Sequence, residues 1–122
     1  KSVKEENMPV LSVSDQKFMD KLIQTITENM DNCDFSVDNM ALSVDMSRSN
    51  FFRKLKGITG QSPIDFLKQM KMKRALQLIE SKEYNISEIA YMVGFNDAHY
   101  FSKCFKQTYG ISPTEYKNNI DR

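Results

Sequence analysis

Two short segments of the chain carry cations and hydrogen-bonding side chains at helical spacing. The first contains Arg48, Ser49, Asn50, Phe52, Arg53 and Lys56, and the second contains Ala98, His99, Ser102, Lys103 and Lys106. Arg53 has the paired donors that match guanine, and Asn50 has the donor and acceptor that match adenine. Lys56 and Lys106 lie nearer the ends of their segments, where contact with phosphate is expected. These residue types predict recognition of double-stranded DNA through base edges and phosphates.

Catalytic and metal chemistry find little support in the same residues. His99 is the only histidine, and it lies two positions after Asp97 and three before Ser102. A hydrolytic triad needs such groups to converge in a pocket, whereas His99 and Asp97 lie in the first turn of one short helix. Cys33 and Cys104 lie far apart, without metal-ligand spacing, and are expected to be reduced thiols rather than a disulfide. We therefore expect no enzyme activity, no metal site and no cofactor.

The charge of the chain is concentrated in its middle. Residues 48–77 carry eight Lys and Arg against one acid, a balance of +7, whereas residues 1–47 sum to −5 and residues 78–122 to −1. Because the whole chain carries only +1, a basic segment of this density would attract a polyanion. The charge alone has an alternative interpretation, which is a solvated helix face that keeps the protein soluble.

Hydrophobic spacing and capping residues predict the elements that hold these side chains. A first helix is expected to begin near Ser14, with buried positions at intervals of four from Phe18 to Met30, and to end at Asn32 and Asp34. No alternating pattern long enough for a strand is present. The sequence therefore predicts an all-α fold.

A helix-turn-helix unit is predicted next, over about residues 36–56. Ser36 caps its first helix, a tight turn lies around Asp45 and Met46, and Ser47 caps its second helix. The six candidate residues of the first segment therefore belong to the second helix of this unit.

A long helix is predicted over about residues 63–81, because Ser62 and Pro63 form a favourable helix start. It separates the first unit from a second helix-turn-helix over about residues 86–107, in which Asp97 caps the second helix.

The two units are copies of one another. A shift of fifty positions aligns identical residues of the two halves, namely Lys56 with Lys106, Gly60 with Gly110, Ser62 with Ser112 and Pro63 with Pro113. Upstream of these positions, the shift that aligns the two copies is one residue shorter. Two copies are too few for a solenoid, so a duplicated module is expected. With a final helix from Pro113, expected to fray at Asn118 and Asn119, the prediction is about seven helices, arranged as two helix-turn-helix subdomains joined by a long central helix.

These motifs resemble the signature of the AraC/XylS transcription regulators. The residues that carry the resemblance are Ala41, Met46-Ser47, Arg53, Lys56, Thr59-Gly60, Arg74-Ala75 and Leu78, then Ala90, Val93-Gly94-Phe95, Asp97, Tyr100-Phe101-Ser102, Phe105-Lys106, Gly110, Ser112-Pro113 and Tyr116. The resemblance covers about Asp15 to Asn118. It implies a C-terminal DNA-binding domain that inserts two recognition helices into successive major grooves on one face of DNA and reads a non-palindromic site. Phe52 and Lys71 depart from the family pattern, which often has a polar residue and Arg there.

The start of the chain is interpreted as a linker, residues 1–13, from a preceding domain, with the DNA-binding domain over residues 14–122. The linker lacks signal-peptide features, and no apolar run approaches the length of about 18 residues typical of a membrane-spanning helix. The following Ser-Asp-x-x-Phe-x-x-x-Leu also resembles regulators fused behind a phospho-receiver in hybrid two-component sensors. That resemblance implies a cytoplasmic domain and allows a parent protein anchored in the inner membrane.

Together these observations predict sequence-specific binding of promoter DNA for transcription regulation. The isolated domain is expected to be monomeric, to contact RNA polymerase and to bind no small molecule, whereas a dimeric full-length protein is left open. The alternative is a helical protein–protein interaction module that uses the acidic first third or a methionine-bearing surface. The basic segment discriminates between the two hypotheses, because an interaction module would keep its partner after charge reversal at Arg48, Arg53 and Lys56, whereas a DNA-binding domain would lose its DNA.

Overall fold

The computed structural model describes residues 11–121, and within that range the chain forms seven α-helices and no strand. In chain order the helices are α1 Val13–Glu28, α2 Val37–Ser43, α3 Arg48–Thr59, α4 Pro63–Ser81, α5 Ile86–Met92, α6 Ala98–Tyr109 and α7 Pro113–Ile120. The predicted all-α class is confirmed. Most of the predicted linker, residues 1–10, lies outside the described residues.

Side-chain caps set the start of each helix. Five predicted capping residues accept hydrogen bonds from backbone amides of the turn that follows, namely Ser36, Ser47, Ser62, Asp97 and Ser112. In α2 the cap is reciprocal, because Asn39 Oδ1 accepts from the Ser36 amide at 2.9 Å. The helices that carry the candidate residues therefore begin where local sequence chemistry places them.

The ends of α1 differ from the prediction. Its cap is Ser12 and not Ser14, since the Ser12 hydroxyl accepts from the Asp15 amide at 3.1 Å. Its C-terminal cap is Asn29, whose side-chain amide donates to the Thr25 carbonyl at 2.9 Å. α1 therefore ends several residues before the predicted Asn32 and Asp34.

In the second copy the start of α5 agrees with the predicted start of the second unit near residue 86, and the end of α7 differs from the prediction. Asn85 caps α5 and forms a capping box with Glu88, so the helix begins at Ile86. α7 does not fray at Asn118 and Asn119 but continues to Ile120, which packs against the second hydrophobic core.

Two hydrophobic cores share the long helix α4. Phe66 and Leu67 in its first half join the core formed with α1, α2 and α3. Four residues of its second half join the core formed with α5, α6 and α7, namely Met72, Ala75, Leu78 and Ile79. We call these units the first and second subdomains. α4 therefore closes the first subdomain and opens the second.

Helix packing follows the same division. Principal contacts in the first subdomain join α1 to α2, α2 to α3, and α3 to α4. In the second, α4 packs on α5, α6 and α7, and α6 packs on α5 and α7. None of the helices in the described part of the chain is long and apolar enough to cross a bilayer.

Candidate nucleic-acid interface

One face of α3 and one face of α6 anchor these helices in the two cores. Phe51 and Leu55 on α3, and Phe101 and Phe105 on α6, are completely buried. Because residues at positions i and i+4 share one face of a helix, these pairs leave the opposite face of each helix for other contacts. Most of the candidate DNA-contacting residues lie on and beside that opposite face.

All eleven predicted site residues lie on these two helices. Nine of them are exposed, namely Arg48, Ser49, Asn50, Phe52, Arg53 and Lys56 on α3, and His99, Lys103 and Lys106 on α6. Ala98 and Ser102 are only partly accessible, and Ala98 packs against the second core. We call the exposed residues of α3 and α6 the two reading surfaces.

The two arginines of α3 have different partners. The Arg48 guanidinium donates to Asp38 Oδ1 on α2 at 2.8 Å, so a carboxylate already offsets its charge. The Arg53 guanidinium donates to the neutral Asn50 side chain, at 3.0 Å from its Oδ1. An exposed hydrogen bond of this kind contributes little stability but orients both groups. Of the two arginines, Arg53 therefore carries the donor better placed for an external acceptor.

Phe52 departs from the polar character of its surface. It is 44% exposed and lines a groove of about 240 Å³ with Val37, Arg48, and the start of α4 at Pro63 and Ile64. The exposed half of such a ring offers an apolar surface suited to a thymine methyl group.

Tyr100 was absent from the predicted site. It lies on α6 with 51% of its surface exposed, and its ring centroid lies 5.8 Å from that of Phe95. The fifty-residue register of the two copies aligns it with Asn50. The repeat therefore contained the signal that identifies Tyr100 as part of the second reading surface.

Equivalent backbone contacts fix the angle between the two helices of each unit. The Met46 amide donates to the Ala41 carbonyl at 3.1 Å, and the Phe95 amide donates to the Ala90 carbonyl at 2.9 Å. Ala41 and Ala90 are both buried, so their small side chains allow the helices to cross closely. Each turn contains one residue with positive φ, Asp45 in the first and Gly94 in the second.

No second kind of site competes with these surfaces in the described part of the chain. Across residues 11–121 no three potential metal-ligating side chains lie together. Among the same residues no polar or charged side chain is buried. His99 is exposed, and the Asp97 carboxylate near it accepts the amides of His99 and Tyr100 as the α6 cap.

Comparison with known proteins agrees with this arrangement. The profile of a family described as helix-turn-helix domain matches residues 40–119. The C-terminal domain of AraT, a response regulator from Geobacillus stearothermophilus, is 31% identical, with a TM-score of 0.77 and 84% of each chain covered. The chain belongs to the AraC-type helix-turn-helix family. As an AraC-type domain it is a DNA-binding unit of transcription regulation.

Two further similar proteins are informative. The DNA-binding domain of AdpA, solved in complex with a target DNA, is 26% identical, with a TM-score of 0.76, and 83% of this chain and 90% of that chain are covered. Histidine kinase P4 from Formosa agariphila is 36% identical over 108 residues, which is 88% of this chain and 8% of that protein. The chain thus spans only a small part of this curated relative.

Proposed function

We propose that this AraC-type domain binds double-stranded promoter DNA sequence-specifically by inserting α3 and α6 into successive major grooves. The observation that carries the proposal is the pair of reading surfaces, each on the second helix of a helix-turn-helix and both attached to α4. α4 has 19 residues, or roughly 28 Å at about 1.5 Å per residue. This length suits major-groove segments that recur about every 34 Å along one face of the duplex.

The side chains suggest a division of roles. Arg53, oriented by Asn50, would contact guanine, and Asn50 retains its amide donors for a neighbouring base. Lys56 and Lys106, in the last turns of their helices, would contact phosphate. We add Tyr100 to the predicted contacts because of its exposure and its register with Asn50.

The wider setting is also part of the proposal. The DNA-binding domain spans the predicted residues 14–122 together with the start of α1 at Ser12 and Val13. It is monomeric in isolation, binds no small molecule, has no catalytic role, acts in the cytoplasm and contacts RNA polymerase when bound to a promoter. The similarity to a histidine kinase over 108 residues supports a parent of the hybrid two-component type, and we propose that such a parent carries an inner-membrane anchor outside this chain.

Footprinting on promoter fragments tests the proposal, since it reports binding, site length and asymmetry together. We expect a non-palindromic protected site that spans two major-groove segments on one face of the duplex. If six to ten phosphates are contacted, raising salt from about 50 to 200 mM should weaken binding by roughly 10³ to 10⁵. A flat salt dependence, or protection of a single groove segment, would reject this mode of binding.

A further inference from the structure

The two subdomains meet outside α4 as well as through it. Gly94, in the turn between α5 and α6, lies so close to the loop between α1 and α2 that an added Cβ would be 2.7 Å from the Met30 carbonyl oxygen and 3.5 Å from that of Asn32. The Met30 side chain packs against both hydrophobic cores. The turn between α5 and α6 in the second subdomain therefore packs against the loop between α1 and α2 in the first. We call this contact the joint.

Lys71 reaches the joint from α4. Its Nζ lies 3.1 Å from the position that a Gly94 Cβ would occupy and 5.4 Å from the ring centroid of Phe95, the next residue of the turn. Burial lowers the pKa of Lys71, an effect that the nearby Cys33 thiol partly opposes. Lysines usually extend their ammonium into water. The Lys71 ammonium instead lies in a partly buried place and faces an aromatic ring.

The position of Lys71 along α4 suggests what its partly buried ammonium does. The first core contacts the helix as far as Met70, and the second core begins at Met72. Lys71 therefore lies where one core gives way to the other. A bend of α4 there would tilt one subdomain against the other, and the Lys71 ammonium, beside the Gly94 turn and the Phe95 ring, is placed to oppose such a tilt.

We propose that Lys71 is a positioning residue that holds the Gly94 turn against the loop between α1 and α2 and so sets the separation and angle of α3 and α6. The inference rests on the proposed function for its consequence, which is selectivity for one spacing between the two DNA segments. Two linked modules bind more tightly than either alone only when their geometry lets both engage at once. A rigid joint would therefore favour one spacing and reject the others.

A measurement without DNA tests the joint directly. Leu42 on α2 and Tyr91 on α5 occupy equivalent places in the two copies and are 71% and 54% exposed. Spin labels at Leu42→Cys and Tyr91→Cys, in a Cys33→Ser background, report the distance between the subdomains. We expect one narrow distance distribution, which Lys71→Met broadens and which Lys71→Arg keeps narrow. Lys73→Met is the matched control, because Lys73 is exposed on the same helix. An unchanged distribution in Lys71→Met would overturn the proposal.

A second measurement uses the site found by footprinting. Duplexes with the native spacing, with one base pair added or removed, and with a single half-site are compared by equilibrium binding. Lys71→Met should reduce the preference for native spacing by about tenfold, since correct geometry is what supplies the gain from linkage, and should leave half-site affinity unchanged. Equal weakening on every duplex would make Lys71 a phosphate contact and reject the positioning role. Failure of the parent domain to bind any DNA would instead reject the proposed function, and the label distances would still test the joint.

Discussion

The turns of the two helix-turn-helix units have the same backbone form but different surroundings. Asp45 in the first turn has φ of 57° and is exposed, whereas Gly94 in the second has φ of 81° and is buried against the loop between α1 and α2. Asp can adopt the left-handed conformation at modest cost, so the first turn keeps a side chain. The second turn has no room for one. Duplication thus reproduced the local fold, while the contact between the copies imposed a constraint on only one of them.

The reading surfaces of α3 and α6 differ in their side chains. α3 presents the guanidinium groups of Arg48 and Arg53, whereas α6 presents the ammonium groups of Lys103 and Lys106 together with Tyr100. Arginine forms bidentate contacts with base edges, and lysine acts more as a point charge. We infer that α3 contributes more to base discrimination and α6 more to general affinity.

Charge reversal at matched positions should have the largest effect. Arg53→Glu with Lys56→Glu, and separately Lys103→Glu with Lys106→Glu, each remove phosphate neutralisation and add repulsion. We expect each pair to weaken DNA binding by about a hundredfold or more, which is about 2.7 kcal/mol. The α3 variant should bind DNA more weakly than the α6 variant, because it also loses the proposed base contact of Arg53. Fluorescence anisotropy with the footprinted site measures both, and Lys17→Glu on α1 is the control. Full binding by the α6 pair would mean that only α3 engages DNA.

Substitution of the buried turn glycine should have the next largest effect. Gly94→Ala places a methyl group in a left-handed conformation and against the Met30 carbonyl, whereas Gly110→Ala meets only the first difficulty, since nothing lies within 4 Å of its Cβ position. The conformational cost is about 1–2 kcal/mol, and Gly94→Ala should cost distinctly more. Urea denaturation measures both values. Equal losses of stability in the two variants would show that the joint accommodates the added methyl group without cost. Asp45→Gly should leave stability nearly unchanged.

Replacement of single cations should separate reading from anchoring. Arg53→Ala should reduce discrimination at one base pair by about 1–3 kcal/mol, whereas Lys106→Ala should weaken binding to all sequences alike and lower the salt dependence. Binding to a set of duplexes with single base-pair changes measures the two effects. The same loss of selectivity in both variants would contradict the roles assigned to α3 and α6.

The smallest predicted effect is a change in folding stability at the last helix of each copy. The Tyr116 hydroxyl on α7 donates to Glu80 Oε2 on α4 at 2.6 Å, and this hydrogen bond raises the pKa of Tyr116 above its ordinary value of about 10. Its first-copy counterpart, Phe66, is nearly buried and lacks the hydroxyl. Tyr116→Phe should lower stability by roughly 0.5 kcal/mol at neutral pH.

The pH dependence gives this prediction its sign. Because the folded-state pKa of Tyr116 is raised, its contribution is fully present below about pH 10 and is lost as the pH rises through the folded-state value. Urea denaturation at neutral pH and above pH 10 should therefore show the difference between wild type and Tyr116→Phe disappear. Tyr109, whose pKa is raised by burial and by Glu80, is common to both proteins. A difference that persists in alkali would assign it to packing instead.

Local chemistry explains which features could be predicted from the sequence. The caps at Ser47 and Asp97, and the buried pairs of α3 and α6, depend on residues within a few positions of one another. Ser12 and Ser14 illustrate a limit of prediction from sequence. Both serines fit the pattern of a helix cap, and only the geometry of the following turn selects Ser12. Tyr100 follows from the repeat, since its counterpart in the first copy, Asn50, is a predicted site residue.

The remaining features depend on contacts between distant parts of the chain. Met72 is completely buried although Met70 fits the spacing of Phe66 better, because the buried face of α4 changes where the second core begins. The contact between Gly94 and Met30 joins residues with no periodic relation. Neither follows from a helical pattern, which describes one face of one helix at a time.

The shared use of α4 has a consequence for how such proteins can change in length. One residue inserted near its middle would advance everything that follows by about 1.5 Å and rotate it by about 100° about the helix axis. α6 would then point along a different side of the molecule from α3. Insertions are therefore tolerable in the loops on either side of this helix but not within it, and its length should be the least variable dimension among proteins built on the same plan.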